Sequence, residues 1–158
     1  MVENPGMHVT AKADYAIRAV VELVDSSQER PYKIDAVAQA QSISPSFLEN
    51  ILTQLRSAGF VRSQRGPDGG YWLARPPDEL NIAQIIRAVD GPLVGVRGEP
   101  PKEVEYVGSA ESLQQVWIAV RANLRKVLEH VTVADVAAGK LPQDVLALTR
   151  REEAWETR

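Results

Sequence analysis

The segment from Ser42 to Ala74, SISPSFLENILTQLRSAGFVRSQRGPDGGYWLA, predicts a helix followed by a β-hairpin. Its first half predicts a helix with Ser44 as N-cap, Pro45 in the first turn and Gly59 just after the end. Apolar residues recur at helical spacing on one side of this helix, and hydrogen-bonding side chains occupy the other. The apolar positions are Leu48, Ile51, Leu52 and Leu55, and the polar ones are Ser46, Glu49, Asn50, Thr53 and Gln54. The helix is therefore expected to pack on its own domain and to offer a polar surface outward.

The second half of the stretch predicts a β-hairpin. Residues 60–63 and 71–74 alternate apolar and polar side chains, as short strands with one buried face do. The segment between them is rich in turn-forming residues, including Gly66, Pro67 and Gly69. Arg65 lies in this loop, so it is expected near the tip of the hairpin.

Three more helices are predicted around this stretch from caps and apolar spacing. They are expected at about residues 11–25, 34–41 and 82–90, with Thr10 and Asn81 as N-caps and Gly91 as a stop. Two helices, a turn, a polar-faced helix and a hairpin follow the order of a winged helix-turn-helix. We therefore predict a mainly α fold, in which residues 1–91 form a winged helix-turn-helix DNA-binding domain.

The second half of the chain is dominated by one long predicted helix. Residues 92–108 contain scattered Gly and Pro and are interpreted as a linker, after which a helix runs from Ser109 to about Thr132. At 1.5 Å per residue it would be about 36 Å long, too long to bury its apolar stripe on a domain of this size. The stripe has the 3–4 spacing of a coiled-coil-like surface, so residues 109–141 are predicted to form a dimerisation helix and a short following helix, before a polar tail, 142–158. The stripe consists of Leu113, Trp117, Val120, Leu124, Val127 and Val131.

Composition excludes several classes of function. The 158 residues contain no cysteine, which removes disulfides, thiol catalysis and cysteine-bound zinc or iron–sulfur clusters. The two histidines, His8 and His130, are far apart in the sequence, so we predict no metal site and no cofactor. Neither a nucleophile–base pair nor a phosphate-binding loop is visible, and we predict no enzymatic activity. Without a membrane-length apolar run or a secretory signal, a cytoplasmic location is expected.

The charge pattern gives a weak signal for a polyanionic partner. The net charge of the chain is −3, which is unusual for a nonspecific nucleic-acid binder. However, residues 44–75 contain four arginines against two acidic residues, a local excess of +2. The positive charge thus coincides with the polar-faced helix and the hairpin.

This arrangement suits double-stranded DNA. The major groove of B-DNA is roughly 12 Å wide and admits one α-helix, which must be polar where it meets the bases. Arginine at the hairpin tip, here Arg65, suits the narrow minor groove, where the negative potential is strongest. Glu49 is the exception on this surface. It is either a solvated or intrahelically bonded charge, or an acceptor for the cytosine amino group.

Residues 42–93, together with DYAIRAVVEL (14–23) and VTVADV (131–136), resemble the IscR/NsrR/CymR family of bacterial winged-helix transcription regulators, the Rrf-two family. The resemblance extends to about Leu141 and is most specific in the polar-faced helix and the R-G-P-x-G-G-Y wing. It implies a homodimer held by the long C-terminal helix. The two winged domains would read a palindromic operator, most often as a repressor.

Matching motif positions imply a set of DNA-contacting residues. Glu49 occupies the position of the acidic residue that family members use to discriminate bases. The full set is Ser44, Ser46, Phe47, Glu49, Asn50 and Arg56 on the helix, with Ser63, Arg65, Gly66 and Gly69 at the wing.

The resemblance breaks down at the sensor. Family members that sense iron–sulfur status or nitric oxide carry three cysteines just after the helix that ends here at Asp90, and this chain has none. Asp14 lies where one branch of the family places an acidic cluster ligand, and without thiolates we expect it to be structural. The chain is therefore similar to a cluster-free branch. An unknown small-molecule or protein effector remains open, and Trp117 with Tyr106 could line a small pocket.

A competing hypothesis is a winged-helix module that binds protein and does not bind DNA directly. The negative net charge and Glu49 favour it. The polar helix face and Arg65 disfavour it, because a protein-binding surface should expose apolar anchors there.

Overall fold

A computed structural model describes residues 7–157 and confirms the mainly helical fold class. The first six residues of the predicted winged domain and the last residue of the predicted tail lie outside the described residues. The elements are α1 Ala11–Glu22, α2 Ile34–Gln41, α3 Pro45–Ser57, β1 Val61–Gln64, β2 Gly70–Leu73, α4 Ile82–Asp90, α5 Leu113–Leu128, α6 Val133–Ala138 and α7 Gln143–Thr149. Short 3-10 turns occur at Pro77–Glu79, Gly108–Ala110 and Glu152–Ala154.

The core forms where α1 lies against α2, α3, α4 and α6. The whole apolar side of α3 is buried in it, as the spacing predicted. From α1 the core receives the small side chains of Ala13, Ala16 and Ala19, which allow neighbouring helices to approach closely, and from α4 it receives Ile85 and Val89. Burial of this side leaves the polar side of α3 in solvent, except for Gln54, which is half-buried and whose side-chain oxygen is buried without a hydrogen-bond partner among the described residues.

Helix α3 begins and ends as predicted, although Ser44 does not cap it through its side chain. Ser44 has the extended backbone of an N-cap, but its hydroxyl shares a 3.0 Å hydrogen bond with the hydroxyl of Ser46. Gly59 follows the helix with φ of 81°, a left-handed conformation that glycine adopts without strain. The turn between α2 and α3 is short and is held by Ile43, whose N–H donates to the Ala38 carbonyl at 2.9 Å.

The wing is the antiparallel pair β1–β2, in which Val61 pairs with Leu73 and Arg62 with Trp72. A third segment joins this sheet. The N–H of Tyr32 donates to the Tyr71 carbonyl, and the N–H of Tyr71 donates to the Tyr32 carbonyl, both at 2.8 Å. A Cβ at Gly70 would lie 2.5 Å from the Tyr32 carbonyl oxygen, so this close approach requires glycine. The chain before α2 thus fixes the base of the wing.

The long helix is shorter than the sequence predicts. α5 has 16 residues, about 24 Å, because a 3-10 turn precedes it and the chain turns after Glu129. Thr132 then caps α6 in a capping box with Asp135. Val131, predicted to lie in the dimer stripe, is buried in this junction, where its carbonyl accepts from the Ile82 N–H at 3.1 Å. Its side chain therefore has little surface left for a partner.

The segments predicted as a linker and a polar tail contain buried residues and a helix, respectively. Segment 92–108 has no helix before its terminal 3-10 turn, but Val104 in it is fully buried. The amide nitrogen of Gln114 on α5 holds this segment, because its two hydrogens are shared among the carbonyl oxygens of Pro101, Lys102 and Val104, at 3.3, 3.2 and 2.9 Å. The predicted tail contains α7, whose Asp144 lies 3.2 Å from His130.

An ion-pair triad connects the winged domain to α5. The Glu129 carboxylate accepts from Arg87 of α4 at 2.7 Å and from Arg125 of α5 at 2.9 Å. The hydrogen bond from Arg87, followed by that from Arg125, lowers the pKa of Glu129 below its ordinary value. The bond from Arg87 joins α4 to the end of α5, and the i,i+4 bond from Arg125 holds the Glu129 carboxylate in place for it.

We expect this triad to weaken in acid. Because the folded-state pKa of Glu129 is lowered, its contribution to stability is present at neutral pH and is lost as the pH falls through the folded-state pKa. Glu129→Gln should lower Tm at pH 7, and its difference from wild type should shrink below about pH 4.5. Thermal unfolding between pH 3 and pH 7 measures this, with the exposed Glu105→Gln as control. A Tm difference that does not change with pH would contradict the assignment.

Candidate DNA-binding surface

The outward side of α3 carries a continuous row of polar side chains. Glu49 and Arg56 are seven residues apart, so they share one side of the helix about 10 Å from each other along its axis. Between them, the Thr53 hydroxyl donates to the Glu49 carbonyl at 2.9 Å. The exposed positions of this row are Ser46, Glu49, Asn50, Thr53 and Arg56.

Glu49 is free to accept a hydrogen bond. Its side chain is exposed, and among residues 7–157 its carboxylate has neither a hydrogen-bond donor nor a cation within ion-pair distance. Of the two structural explanations for Glu49, the intrahelical bond is absent among the described residues, and a solvated charge agrees with the exposed side chain. A carboxylate in this position can accept from the amino group of cytosine in the major groove.

Phe47 supplies an apolar contact at the start of α3. Its side chain is 46% exposed, and its ring meets that of Tyr15 edge-to-face at 5.5 Å. The Arg18 guanidinium lies 5.3 Å from the Tyr15 ring and pairs with Asp14 at 3.1 Å. The exposed part of Phe47 is positioned to meet an apolar group such as a thymine methyl. Asp14, by pairing with Arg18, has the structural role that the sequence predicted.

The wing is tied to α3 by Arg56, which donates to the Ser63 hydroxyl at 2.8 Å. At the tip, Arg65 and Gly66 are exposed, and Gly66 has φ of 107°. Arg65 has no carboxylate within ion-pair distance in the described part of the chain. An exposed arginine beside a glycine can enter a narrow groove, because no side chain blocks the approach of the backbone.

Lys33 supports the wing, a role that the sequence did not predict. Its ammonium donates to the carbonyls of Gly66 and Pro67, at 3.2 and 2.6 Å, and so braces the tip from the start of α2. No local pattern marks this role, because the acceptors are backbone atoms more than 30 residues away.

Gly69 belongs to the predicted set of DNA contacts, which requires it to be exposed, but it does not reach solvent. It is buried, its N–H donates to the Gly66 carbonyl at 3.0 Å, and a Cβ there would lie 2.0 Å from the Gln64 carbonyl oxygen. Its position indicates a role in closing the hairpin. The remaining members of the set lie on the outer side of α3 or on the wing.

The arginines of this surface lack partners of opposite charge. Ion pairs in residues 7–157 involve Arg18, Arg87, Arg125 and His130, all outside the region of α3 and the wing. Arg56, Arg62, Arg65 and Arg75 therefore leave their charges available to an anion.

The predicted dimerisation residues lie on a helix that its own chain covers poorly. No side chain of α5 is buried, and Val116 and Ile118 are 49% and 42% exposed. Trp117 is partly covered, and its indole N–H donates to the Tyr106 hydroxyl at 2.8 Å. Leu113, Trp117, Val120, Leu124 and Val127 are all partly exposed.

The family model described as "Rrf2: Iron-dependent Transcriptional regulator" matches residues 9–139. The chain belongs to the Rrf2 family. This confirms the resemblance to the Rrf-two regulators and makes the chain a helix-turn-helix transcriptional regulator of that family. The part of the chain that the structure describes contains no helix long and apolar enough to cross a membrane.

Named relatives and solved structures agree with this family. A candidate HTH-type transcriptional regulator of Mycobacterium tuberculosis, Rv1287, is 46% identical over 151 residues, covering 96% of this chain and 94% of its own. The HTH-type regulator CymR of Bacillus subtilis is 32% identical over 84% of this chain and 91% of its own. The structure of CymR, the global cysteine regulator of B. subtilis, matches with TM-score 0.68, 30% identity and coverage of 84% of this chain and 98% of its own. IscR of T. potens matches with TM-score 0.65, 29% identity and coverage of 98% and 95%.

Iron, which the family description implies, does not fit the donor groups of this chain. Thiolates are the usual ligands of iron–sulfur clusters, and the sequence has no cysteine. Within residues 7–157 no group of three or more His, Asp or Glu side chains is arranged to hold a metal ion. His130 lies beside Asp144, in a pair rather than a ligand set.

We expect Gly69→Ala to disrupt the wing. The added Cβ would overlap the Gln64 carbonyl, and such overpacking typically costs about 1–3 kcal/mol. Amide hydrogen exchange at Tyr32 and Tyr71 should accelerate, because their N–H groups are protected only while the hairpin is docked. The exposed neighbour Asp68→Ala is the control and should exchange like wild type. Unchanged protection in Gly69→Ala would show that the hairpin does not need glycine here.

Proposed function

We propose that this chain is a homodimeric repressor that binds a palindromic operator in double-stranded DNA and acts by binding, without enzymatic activity. The observation that carries the proposal is the row from Ser46 to Arg56 on α3, polar and exposed, beside a wing whose tip presents Arg65. DNA is the partner that this combination suits, since it offers base edges to the helix and phosphates to the arginines.

Each group has a role in this proposal. Glu49 and Asn50 face base edges, and Phe47 offers its exposed ring to a thymine methyl. Ser44 and Ser46 lie at the N-terminus of α3, where free N–H groups and the positive end of the helix dipole favour phosphate. Arg65 and Gly66 enter the minor groove at the wing, and Lys33 keeps the tip in position.

The dimer is proposed because the rest of the chain leaves the apolar side chains of α5 partly exposed. A helix whose apolar side chains remain partly exposed is stabilised when a second copy covers them. The proposed contact residues are Leu113, Trp117, Val120, Leu124 and Val127, with Val131 left out because it is buried within the chain. Two-fold symmetry then places the two α3 helices on half-sites about 34–36 Å apart, one turn of DNA.

Salt dependence tests the binding mode. The probe is duplex DNA from the promoter region of the chain's own gene, titrated in gel shifts between 50 and 200 mM salt. If the dimer neutralises six to ten phosphates, affinity should fall by roughly 10³–10⁵ over this range. Salt-independent binding, or binding only to protein partners, would overturn the proposal in favour of a winged-helix interaction module.

Two substitutions separate affinity from discrimination. Arg65→Ala should weaken binding to every duplex, because a wing arginine supplies charge. Glu49→Ala should keep or raise general affinity and reduce preference for the operator over random DNA, since it removes a repulsive and selective group. Lys102→Ala, an exposed charge on segment 92–108, is the control. Wild-type behaviour of both variants would mean that the interface lies elsewhere.

The proposed regulator works without an iron–sulfur cluster. An unknown small-molecule or protein effector would act through segment 92–108, which lies between the winged domain and α5 and is held by Gln114. A small change of dimer geometry there would alter the half-site spacing of the two α3 helices.

The purified protein should therefore be colourless, and its operator affinity should be the same with and without a chelator or a reductant. Visible absorbance spectra and gel shifts in EDTA or dithiothreitol measure this. A brown protein, or operator binding that a chelator abolishes, would contradict the hypothesis that the protein works without an iron–sulfur cluster.

A further inference from the structure

A second basic surface adjoins α3 where the wing leaves the domain. We name it the wing-root groove and define it by Arg56, Arg62, Trp72 and Arg75, which together with the backbone near Gly59 enclose an open groove of about 490 Å³. Only Arg56 of these side chains belongs to the DNA-contacting set that the motifs predict.

The groove has one sign of charge. Three of its lining residues are arginines and none is acidic. Among residues 7–157, neither Arg62 nor Arg75 has a carboxylate within ion-pair distance, and both are exposed. Like charges held together without a counter-ion repel one another, so an anion in the groove would be bound favourably.

The pairing of β1 and β2 places the hydrogen-bond donors of Arg62 and Trp72 on the outer face of the sheet. Arg62 and Trp72 are directly paired across β1 and β2, so their side chains share the face opposite to that of the buried Val61. The Arg75 guanidinium lies 5.1 Å from the Phe60 ring, which fixes it beside this face. The indole N–H of Trp72 has no acceptor in the described part of the chain. Guanidinium and indole groups are hydrogen-bond donors only, which suits phosphate oxygens.

The groove continues the outward row of α3. Arg56 belongs to both, since it ends the row that begins at Ser46 and its guanidinium turns to Ser63 on β1. It lies about 10 Å beyond Glu49 along the helix. A strand whose bases face Glu49 would therefore bring later phosphates towards the groove.

We propose that the wing-root groove binds the phosphate backbone of duplex DNA flanking the bases that α3 reads. This inference rests on the proposed function and extends its footprint. Arg62 and Arg75 are the residues that it adds, and they contribute affinity that does not depend on base sequence.

The experiment uses two duplexes with the same operator. The long duplex carries ten base pairs beyond each half-site, and the short one ends at the outer edge of each half-site. The full-length variant Arg62→Ala/Arg75→Ala should bind the long duplex at least about tenfold more weakly than wild type at 0.15 M salt. Its plot of log affinity against log salt should be less steep by about one for each arginine removed. On the short duplex, wild type and variant should bind alike.

Two further variants keep the result interpretable. Lys102→Ala/Lys140→Ala removes the same charge from exposed positions away from the groove and should bind like wild type on both duplexes. Arg62→Lys/Arg75→Lys keeps the charge and should retain most of the affinity and the salt slope, because a phosphate contact needs charge more than a guanidinium fork.

The outcomes separate this inference from the proposed function. If Arg65→Ala weakens operator binding and the groove variant does not, the groove is not a DNA contact and the proposed function stands. Equal loss on the long and short duplexes, or equal loss in the lysine and alanine variants, overturns the flanking-phosphate role. If wild type binds no duplex in a salt-dependent manner, the proposed function fails first and this inference fails with it.

Discussion

The burial of one side of α3 is the constraint on which the rest of the structure depends. Leu48, Ile51, Leu52 and Leu55 are removed from water against α1 and α4, and each contributes roughly 1.5–3 kcal/mol of favourable transfer free energy. Because the polar side chains lie on the side of the helix opposite the buried one, this burial also makes Glu49 and the other exposed polar residues face outward. The buried apolar surface and the exposed polar surface of α3 are therefore two consequences of one orientation.

The wing depends on the same orientation through three links. Arg56 reaches from the outer side of α3 to Ser63, Tyr32 shares backbone hydrogen bonds with Tyr71, and Lys33 donates to the carbonyls at the tip. A two-stranded hairpin is only marginally stable alone, so these links hold it in one place relative to α3. Helix and wing then form one continuous surface.

The connection to α5 differs from the core in its chemistry. The core is apolar, whereas α4 and α5 are joined by few contacts and by the Arg87–Glu129–Arg125 triad. Polar contacts of this kind at a partly exposed site can rearrange without opening a cavity, since water replaces the lost partners. This makes the junction of winged domain and α5 a better place for a change of geometry than the core.

The sequence alone determined the features that depend on neighbouring residues. The apolar period of α3, the glycine stop at Gly59, the N-cap Asn81 and the turn residues of the hairpin each act over a few positions, so they predicted the winged helix-turn-helix order. The absence of cysteine likewise excluded a cysteine-bound cluster before any coordinates were known. Only the tertiary structure decided that Gly69 is buried, that Val131 ends in a junction with α4, and that Lys33 braces the wing tip. These depend on segments brought together from distant parts of the chain, where backbone atoms are the partners, and backbone atoms carry no signal in a sequence.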